Sequence, residues 1–302
     1  MDVFKPILLK FWSFVEKSDA KRIASQTPTP GITQLCDIPY VEDGKREHLL
    51  DIYYPEGTEG KLPVIVDVHG GGWLYGYKEI NKYYCLKLAE KGFLVASINY
   101  RLAVNCSIKE QIQDIFSAFS WLHENLSEYP ADTDNIFLVG DSAGGQFVCL
   151  SAAICGNERM QKDFDVAPSL CFRAIGAICP AVDLCSPNFM MNANLKSLLG
   201  DKPKENPLYK YMDYTNVAYL GLPPFYIVSA SGDFIQTQAK KLHAILDRHG
   251  VENVFCFYTE RLNGKKLPHV FSVVDPYSPP ATREIKTMTD FFKSKLRERE
   301  RA

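Results

Sequence analysis

The sequence lacks the features that define several classes of protein. No two of its nine cysteines form a CxxC pair, and no group of His and Cys has the spacing of metal ligands. Neither sign of charge dominates, because 34 basic residues stand against 36 acidic ones. Repeats, linkers and low-complexity segments are absent as well. We therefore expect a protein that binds neither a metal ion nor nucleic acid.

An apolar run long enough to cross a membrane is also missing. The first 22 residues, MDVFKPILLKFWSFVEKSDAKR, carry Lys10 inside their apolar part and no small-residue cleavage site. We therefore expect no signal peptide and a cytoplasmic protein. Apolar residues recur there at helical spacing, which predicts an amphipathic helix. We expect this helix to pack on its own protein; the alternative is a helix on a membrane surface.

Apolar residues are plentiful, at 46% of the chain, and they form alternating strand and helix patterns. An alternating strand is predicted at 47–56, followed by buried strands at 62–73, 93–100, 135–140, 172–180, 224–231 and 254–260. Helices are predicted at 82–92, 108–126, 143–156, 235–250 and 282–300. This alternation predicts a mostly parallel sheet with helices on both faces. Residues 183–222 break the rhythm, and we interpret them as a helical insertion above the sheet.

Residues suited to catalysis follow four of the predicted buried strands. Glycines 70–72 lie at the end of the first buried strand, Ser142 follows the third, Asp233 follows the fifth, and His269 lies after the sixth. Ligands bind outside the carboxyl ends of parallel strands, so we expect these residues at one edge of the sheet. A histidine can activate a serine, an aspartate can orient the histidine, and backbone amides can stabilise the oxyanion. The set therefore indicates a serine hydrolase.

The stretch VGDSAGGQ (139–146) places Ser142 between a strand and a helix. Such a turn is tight, so small residues are needed at Gly140 and Gly144. It also leaves the N–H of Ala143 at a helix N-terminus, where it can donate a hydrogen bond to a negatively charged oxygen. Asp141 beside the serine is interpreted as a support for the turn.

Other residues could take these roles. Asp183 and Asp275 are alternatives to Asp233, and His69 is an alternative to His269, although a hydrogen bond that anchors the glycine loop suits His69 better. Trp73 and Tyr75 either line a substrate pocket or pack in the core.

Five motifs resemble the hormone-sensitive-lipase-like branch of the α/β-hydrolases. They are HGGGW (69–73), NYRLA (99–103), GDSAGG (140–145), SGDF (231–234) and HVF (269–271). The resemblance covers about residues 45–295 and implies an α/β-hydrolase fold that uses no cofactor. It implies Ser142 as nucleophile, Asp233 as acid and His269 as base. The oxyanion hole implied by the resemblance consists of Gly71, Gly72 and Ala143.

In this family a cap covers the acyl pocket. The resemblance therefore implies one domain over residues 1–302, with a cap from about 1–30 and the insertion 183–222. The chain departs from the family after the acid, where Phe234 and Ile235 replace a proline and a leucine. Such departures leave the substrate preference open.

We expect a carboxylic ester hydrolase (EC 3.1.1.-) that acts on small-molecule esters with short acyl chains, acetylated sugars among them. One alternative is a ligand-binding protein on the same fold that has lost catalysis. Another is a peptidase or amidase, although those enzymes usually carry a large extra domain. The oligomeric state is open; apolar sheet edges can pair without a motif, so a homodimer is a candidate.

Overall fold

The centre of the protein is an eight-stranded, mostly parallel sheet in the order β1-β2-β4-β3-β5-β6-β7-β8. The structure is a computed structural model that describes residues 4–186 and 189–297. The sheet strands are β1 Ile32–Pro39, β2 Leu49–Pro55, β3 Leu62–Val68, β4 Leu94–Ile98, β5 Ala131–Asp141, β6 Ile175–Ile178, β7 Phe225–Ala230 and β8 Asn253–Tyr258. A separate hairpin pairs β9 Arg261–Leu262 with β10 Lys265–Lys266.

Helices surround the sheet, and most of them alternate with its strands along the chain. They are α1 Phe4–Ser25, α2 Lys82–Glu90, α3 Ile108–Asn125, α4 Ala143–Cys155, α5 Glu158–Phe164, α6 Phe189–Leu199, α7 Gln236–Arg248, the short α8 Phe271–Val274 and α9 Pro279–Lys293. Two apolar clusters lie on the two faces of the sheet, as expected when helices cover both sides. None of the helices in the described ranges is apolar over a length that would cross a bilayer.

The register of the central strands positions the site. Strands β3, β5, β6 and β7 are parallel neighbours, and Val68 pairs with Gly140 while Asp141 pairs with Ile178. These strands therefore end side by side, and the loops that follow them meet at one edge of the sheet.

The predicted strand and helix order is confirmed, with differences at particular segments. The parallel sheet starts with two antiparallel pairings, β1 with β2 and β2 with β4. The sequence analysis missed β1, whose eight residues are mostly half-exposed at the sheet edge and so lack an apolar run. It also missed α5. The last helix starts earlier than predicted, at Pro279, and ends at Lys293.

The N-terminal helix packs against its own protein, at the edge where the glycine loop lies. The Trp12 ring stacks on Tyr75, with ring centroids 5.4 Å apart. A Cβ atom at Gly72 would lie 2.3 Å from the Trp12 ring, so the indole is in direct contact with that glycine. The described part of the insertion contains α6 and 3₁₀ turns, as a helical insertion requires. Residues 1–3, 187–188 and 298–302 of the predicted single domain and cap lie outside the described ranges.

Candidate active site

Ser142 occupies a strained turn between β5 and α4. Its φ of 53° and ψ of −113° are rare for a residue with a side chain. The turn is held on both sides, because the Ser142 N–H donates to the Ile178 carbonyl and its own carbonyl accepts from Ala181 N–H, both at 2.9 Å. A Cβ on Gly144 would lie 2.0 Å from the Val68 carbonyl oxygen. The small residues around Ser142 are thus required by close backbone packing.

His269 lies between Ser142 and Asp233. Its Nε2 is 2.9 Å from Ser142 Oγ, and its Nδ1 is 2.7 Å from Asp233 Oδ1. An imidazole protonated on Nδ1 donates to the aspartate and accepts from the serine hydroxyl. The structure therefore brings together the three side chains that the sequence analysis selected from three separate strand ends.

Asp233 is held as a buried carboxylate. Burial by itself raises the pKa of Asp233, but the hydrogen bond and charge of His269 outweigh it and leave the pKa below its ordinary value. The Ile235 N–H and the Ser229 hydroxyl add hydrogen bonds at 2.9 and 2.7 Å. The group is consequently ionised at neutral pH, where it can stabilise a protonated imidazole.

The other acids and histidine considered from the sequence lie elsewhere. Asp183 forms an ion pair with Lys241, and Asp275 is exposed. His69 is fully buried, and its Nδ1 is 2.8 Å from the Gly70 carbonyl oxygen. Burial lowers the pKa of His69 to about 4, so its ring is uncharged at neutral pH. Its contact anchors the glycine loop, as the sequence analysis preferred.

Asp141 supports the same loop from the serine side. Its Oδ1 accepts hydrogen bonds from Gly70 N–H and from Asn81 Nδ2, both at 2.9 Å. Asn81 Nδ2 also lies 3.2 Å from the carboxylate of Asp67. Burial, aided by the charge of Asp141, raises the pKa of Asp67 to about 7. A buried polar network thereby fixes the glycine loop relative to the serine turn.

The three backbone amides that the sequence analysis proposed as the oxyanion hole belong to residues beside Ser142. Gly71 and Gly72 line the cavity beside Ser142, and Ala143 is buried as the first residue of α4. Within the described ranges, the N–H groups of these three residues donate to no acceptor. They remain available for a negative oxygen.

A cavity of about 430 Å³ opens at Ser142 and His269. Trp73 and Tyr75 both line it, and both also make packing contacts. Trp73 Nε1 donates to Gln146 at 2.9 Å, while the Tyr75 hydroxyl donates to Asp19 at 3.0 Å. The helix α1 contributes Phe11, Trp12, Val15, Asp19 and Arg22 to the walls.

Sequence reasoning missed three residues that support the site. Ser229 holds Asp233, Asn81 bridges the two buried carboxylates, and Cys179 accepts the Val270 N–H through its sulfur at 3.3 Å. Ser229 could have been found, because a polar serine inside the apolar strand β7 indicates a special role. No sequence pattern pointed to Asn81 or Cys179. The sulfur of Cys179 lies within 4.8 Å of a carboxylate oxygen of Asp233 and of a ring nitrogen of His269. The spacing of the cysteines along the sequence did not indicate this cluster.

Comparison with known proteins identifies the family. The profile of the BD-FAE family matches residues 50–246, more than half of the chain. The chain belongs to the BD-FAE family.

Relatives of this BD-FAE chain include esterases. Esterase LipQ of Mycobacterium tuberculosis is 29% identical over 237 residues, which is 72% of this chain and 55% of LipQ. A probable isoprenylcysteine α-carbonyl methylesterase of Arabidopsis thaliana, ICMEL1, is 38% identical over 95 residues, 32% of this chain and 20% of the relative. The chain thus spans about half of LipQ and a fifth of the plant protein.

A solved structure matches over almost the full length of both chains. Esterase B of Lactobacillus rhamnosis, inhibited with a tributyrin phosphonate, superposes with a TM-score of 0.92 at 26% identity. The match covers 98% of this BD-FAE chain and 96% of that chain. The fold is therefore that of the α/β-hydrolases, and the sequence-based assignment to their hormone-sensitive-lipase-like carboxylesterase branch is confirmed.

Proposed function

We propose that this protein is a carboxylic ester hydrolase that cleaves short-chain acyl esters through an acyl-enzyme on Ser142. The hydrogen-bonded series from Ser142 through His269 to Asp233 carries the proposal. A ligand-binding protein needs no such series, which argues against the non-catalytic alternative. The esterase names of the relatives argue against a peptidase or amidase.

The reaction proceeds in two halves. His269 Nε2 takes the proton of Ser142 Oγ while that oxygen attacks the ester carbonyl carbon. The carbonyl oxygen becomes negative and is met by the amides of Gly71, Gly72 and Ala143. The imidazolium, stabilised by Asp233, then gives its proton to the alcohol oxygen as the ester bond breaks. In the second half His269 takes a proton from water while the water oxygen attacks the acyl carbon. The imidazolium then returns that proton to Ser142 Oγ as the bond between Oγ and the acyl carbon breaks, which releases the acid and restores the free serine.

The size and lining of the cavity support short acyl chains. The aromatic rings of Trp12, Trp73 and Tyr75 line the cavity of about 430 Å³. Because this volume must hold part of the alcohol half of the ester as well as the acyl chain, little room remains for a long acyl chain. The inhibitor bound by esterase B is a tributyrin phosphonate, which supports butyrate-sized acyl groups.

We expect hydrolysis of p-nitrophenyl esters to be fastest from acetyl to hexanoyl and to fall by roughly tenfold or more at dodecanoyl, because long chains exceed the cavity. Steady-state kcat/KM over the series from acetyl to dodecanoyl measures this. If the protein is folded but hydrolyses none of these esters, the proposed esterase activity is wrong. A flat profile would remove the short-chain preference alone.

Gly72→Ala is expected to lower kcat/KM by roughly 10- to 100-fold, because its methyl group would strike the Trp12 ring and its φ of 58° disfavours a side chain. Adding Trp12→Ala removes the collision and should restore much of the activity. Gly71→Ala is the matched control, since its methyl group would lie 2.0 Å from the Tyr75 carbonyl oxygen, where Trp12→Ala cannot help. Equal behaviour of the two double variants would contradict the role of Trp12.

A further inference from the structure

The outward side of α1 carries basic and aromatic residues on a single face. Lys10, Phe14, Lys17 and Lys21 are spaced by four, three and four positions, which aligns them along one side of a helix. All four are exposed. Phe11, three positions before Phe14, borders this face. We call these five residues the α1 outer face.

The two phenylalanines of this face are unusually exposed for their size. Phe14 is 72% exposed and Phe11 is 51% exposed, on a helix whose opposite side packs against the protein. Two neighbouring large rings left in water cost hydrophobic free energy that contact with an apolar partner would recover.

The charge of the face is local and uncompensated. Within the described ranges, Lys10, Lys17 and Lys21 form no ion pair with a carboxylate. The whole chain has a net charge of −2, so this basic stripe is not a general property of the surface. Of the nearby acids on α1, Asp19 is bound by Arg22 and Tyr75, and Glu16 lies off the stripe. The face therefore fits a partner that is negative and apolar at once.

The α1 outer face also adjoins the entrance to the cavity. Phe11 belongs both to the face and to the cavity wall. Phe234, 66% exposed, lines the same cavity, and its ring centroid lies 4.5 Å from that of His269. A surface that contacts the face would thus meet a third exposed aromatic ring near the entrance to Ser142.

We propose that the α1 outer face docks the protein on an anionic lipid surface, with Phe11 and Phe14 inserted among the acyl chains and the lysines beside the headgroups. Helices with interleaved basic and aromatic residues lie in the membrane interface in this way. A second copy of the chain fits less well, because a two-fold contact between identical faces would set three lysines against three lysines. The proposal concerns binding and does not depend on the proposed esterase activity.

Sedimentation with phospholipid vesicles tests the proposal directly. We expect the full chain to bind vesicles of phosphatidylcholine with phosphatidylserine more tightly than pure phosphatidylcholine, and to lose that advantage as salt is raised. The triple variant Lys10→Gln, Lys17→Gln, Lys21→Gln should bind the anionic vesicles roughly 100-fold less tightly, since each lysine near such a surface contributes about fivefold. Phe14→Gln should weaken binding roughly tenfold while leaving the charge unchanged.

A matched triple variant controls for net charge. Lys61, Lys91 and Arg248 each lie shortly before a parallel strand, at the edge of the sheet away from the cavity. Changing all three to glutamine removes the same charge and should leave vesicle binding within about twofold. Three results would overturn the proposal: no binding of wild type to anionic vesicles, equal losses in the two triple variants, or a dimer in solution that Phe14→Gln dissociates. Circular dichroism establishes that each variant is folded.

Discussion

Ser142→Ala and His269→Ala are each expected to lower kcat for ester hydrolysis by at least roughly 10³-fold, with little change in KM. Removing the serine removes the nucleophile, and removing the histidine leaves the hydroxyl protonated at neutral pH. The two residues act as a unit through the 2.9 Å contact between Nε2 and Oγ. The double variant should therefore be about as slow as either single variant. Steady-state kinetics on p-nitrophenyl butyrate measures all three.

Two surface residues on α3 provide matched controls. Ser117 and His123 are exposed, and Ser117→Ala and His123→Ala should keep wild-type kcat within about twofold. If Ser142→Ala retains most of the wild-type rate while the protein is folded, the acyl-enzyme mechanism on that residue is wrong. Multiplicative losses in the double variant would show that serine and histidine act independently.

Glu284→Gln is expected to stabilise the protein at alkaline pH by several kcal/mol. Glu284 lies on α9 with no exposed surface, its two carboxyl oxygens have no hydrogen-bond partner within the described ranges, and burial raises the pKa of the group to about 8. The unfolded chain releases this proton near the ordinary value of 4.5. Between these values the folded state holds more protons than the unfolded state. The free energy of unfolding therefore falls as pH rises through that window.

The expected loss is on the order of 5 kcal/mol between pH 4.5 and 8, because each pKa unit corresponds to about 1.4 kcal/mol. Glutamine keeps the shape of the side chain but cannot ionise. Urea unfolding of wild type and Glu284→Gln should therefore agree near pH 4.5 and diverge steadily toward pH 8. The exposed Glu124→Gln serves as control and should follow wild type throughout. Parallel curves for Glu284→Gln and wild type would show that this carboxyl group does not stay protonated in the fold.

Much of the fold was predictable because it depends on local patterns. The buried strands β3 to β7 are continuous apolar runs, and the helices between them have a period of 3.6 residues. The half-exposed edge strand β1 was missed, since its side chains meet both solvent and protein and leave no clear pattern. The start of α9 was predicted three residues too late; prolines 279 and 280 occupy its first turn, where proline is well tolerated.

The sequence alone identified Ser142 as the position of a nucleophile. A serine between an apolar strand and an apolar helix, with glycines two positions away on both sides, permits one kind of tight turn. Ser142 has the strained backbone that this turn requires, and the atoms that a larger residue would strike belong to neighbouring backbone. This information is local, so it is contained in a few consecutive residues.

Only the tertiary structure shows the contacts that join the acid and base to that serine and the residues that cover them. His269 is 127 positions from Ser142 and 36 from Asp233, and the alternative acid, Asp183, is instead paired with Lys241. The placement of Trp12 on Gly72 likewise joins a helix to a loop 60 positions away. Such contacts arise when parallel strands end side by side and their loops fold over one edge, which depends on the packing of the whole sheet.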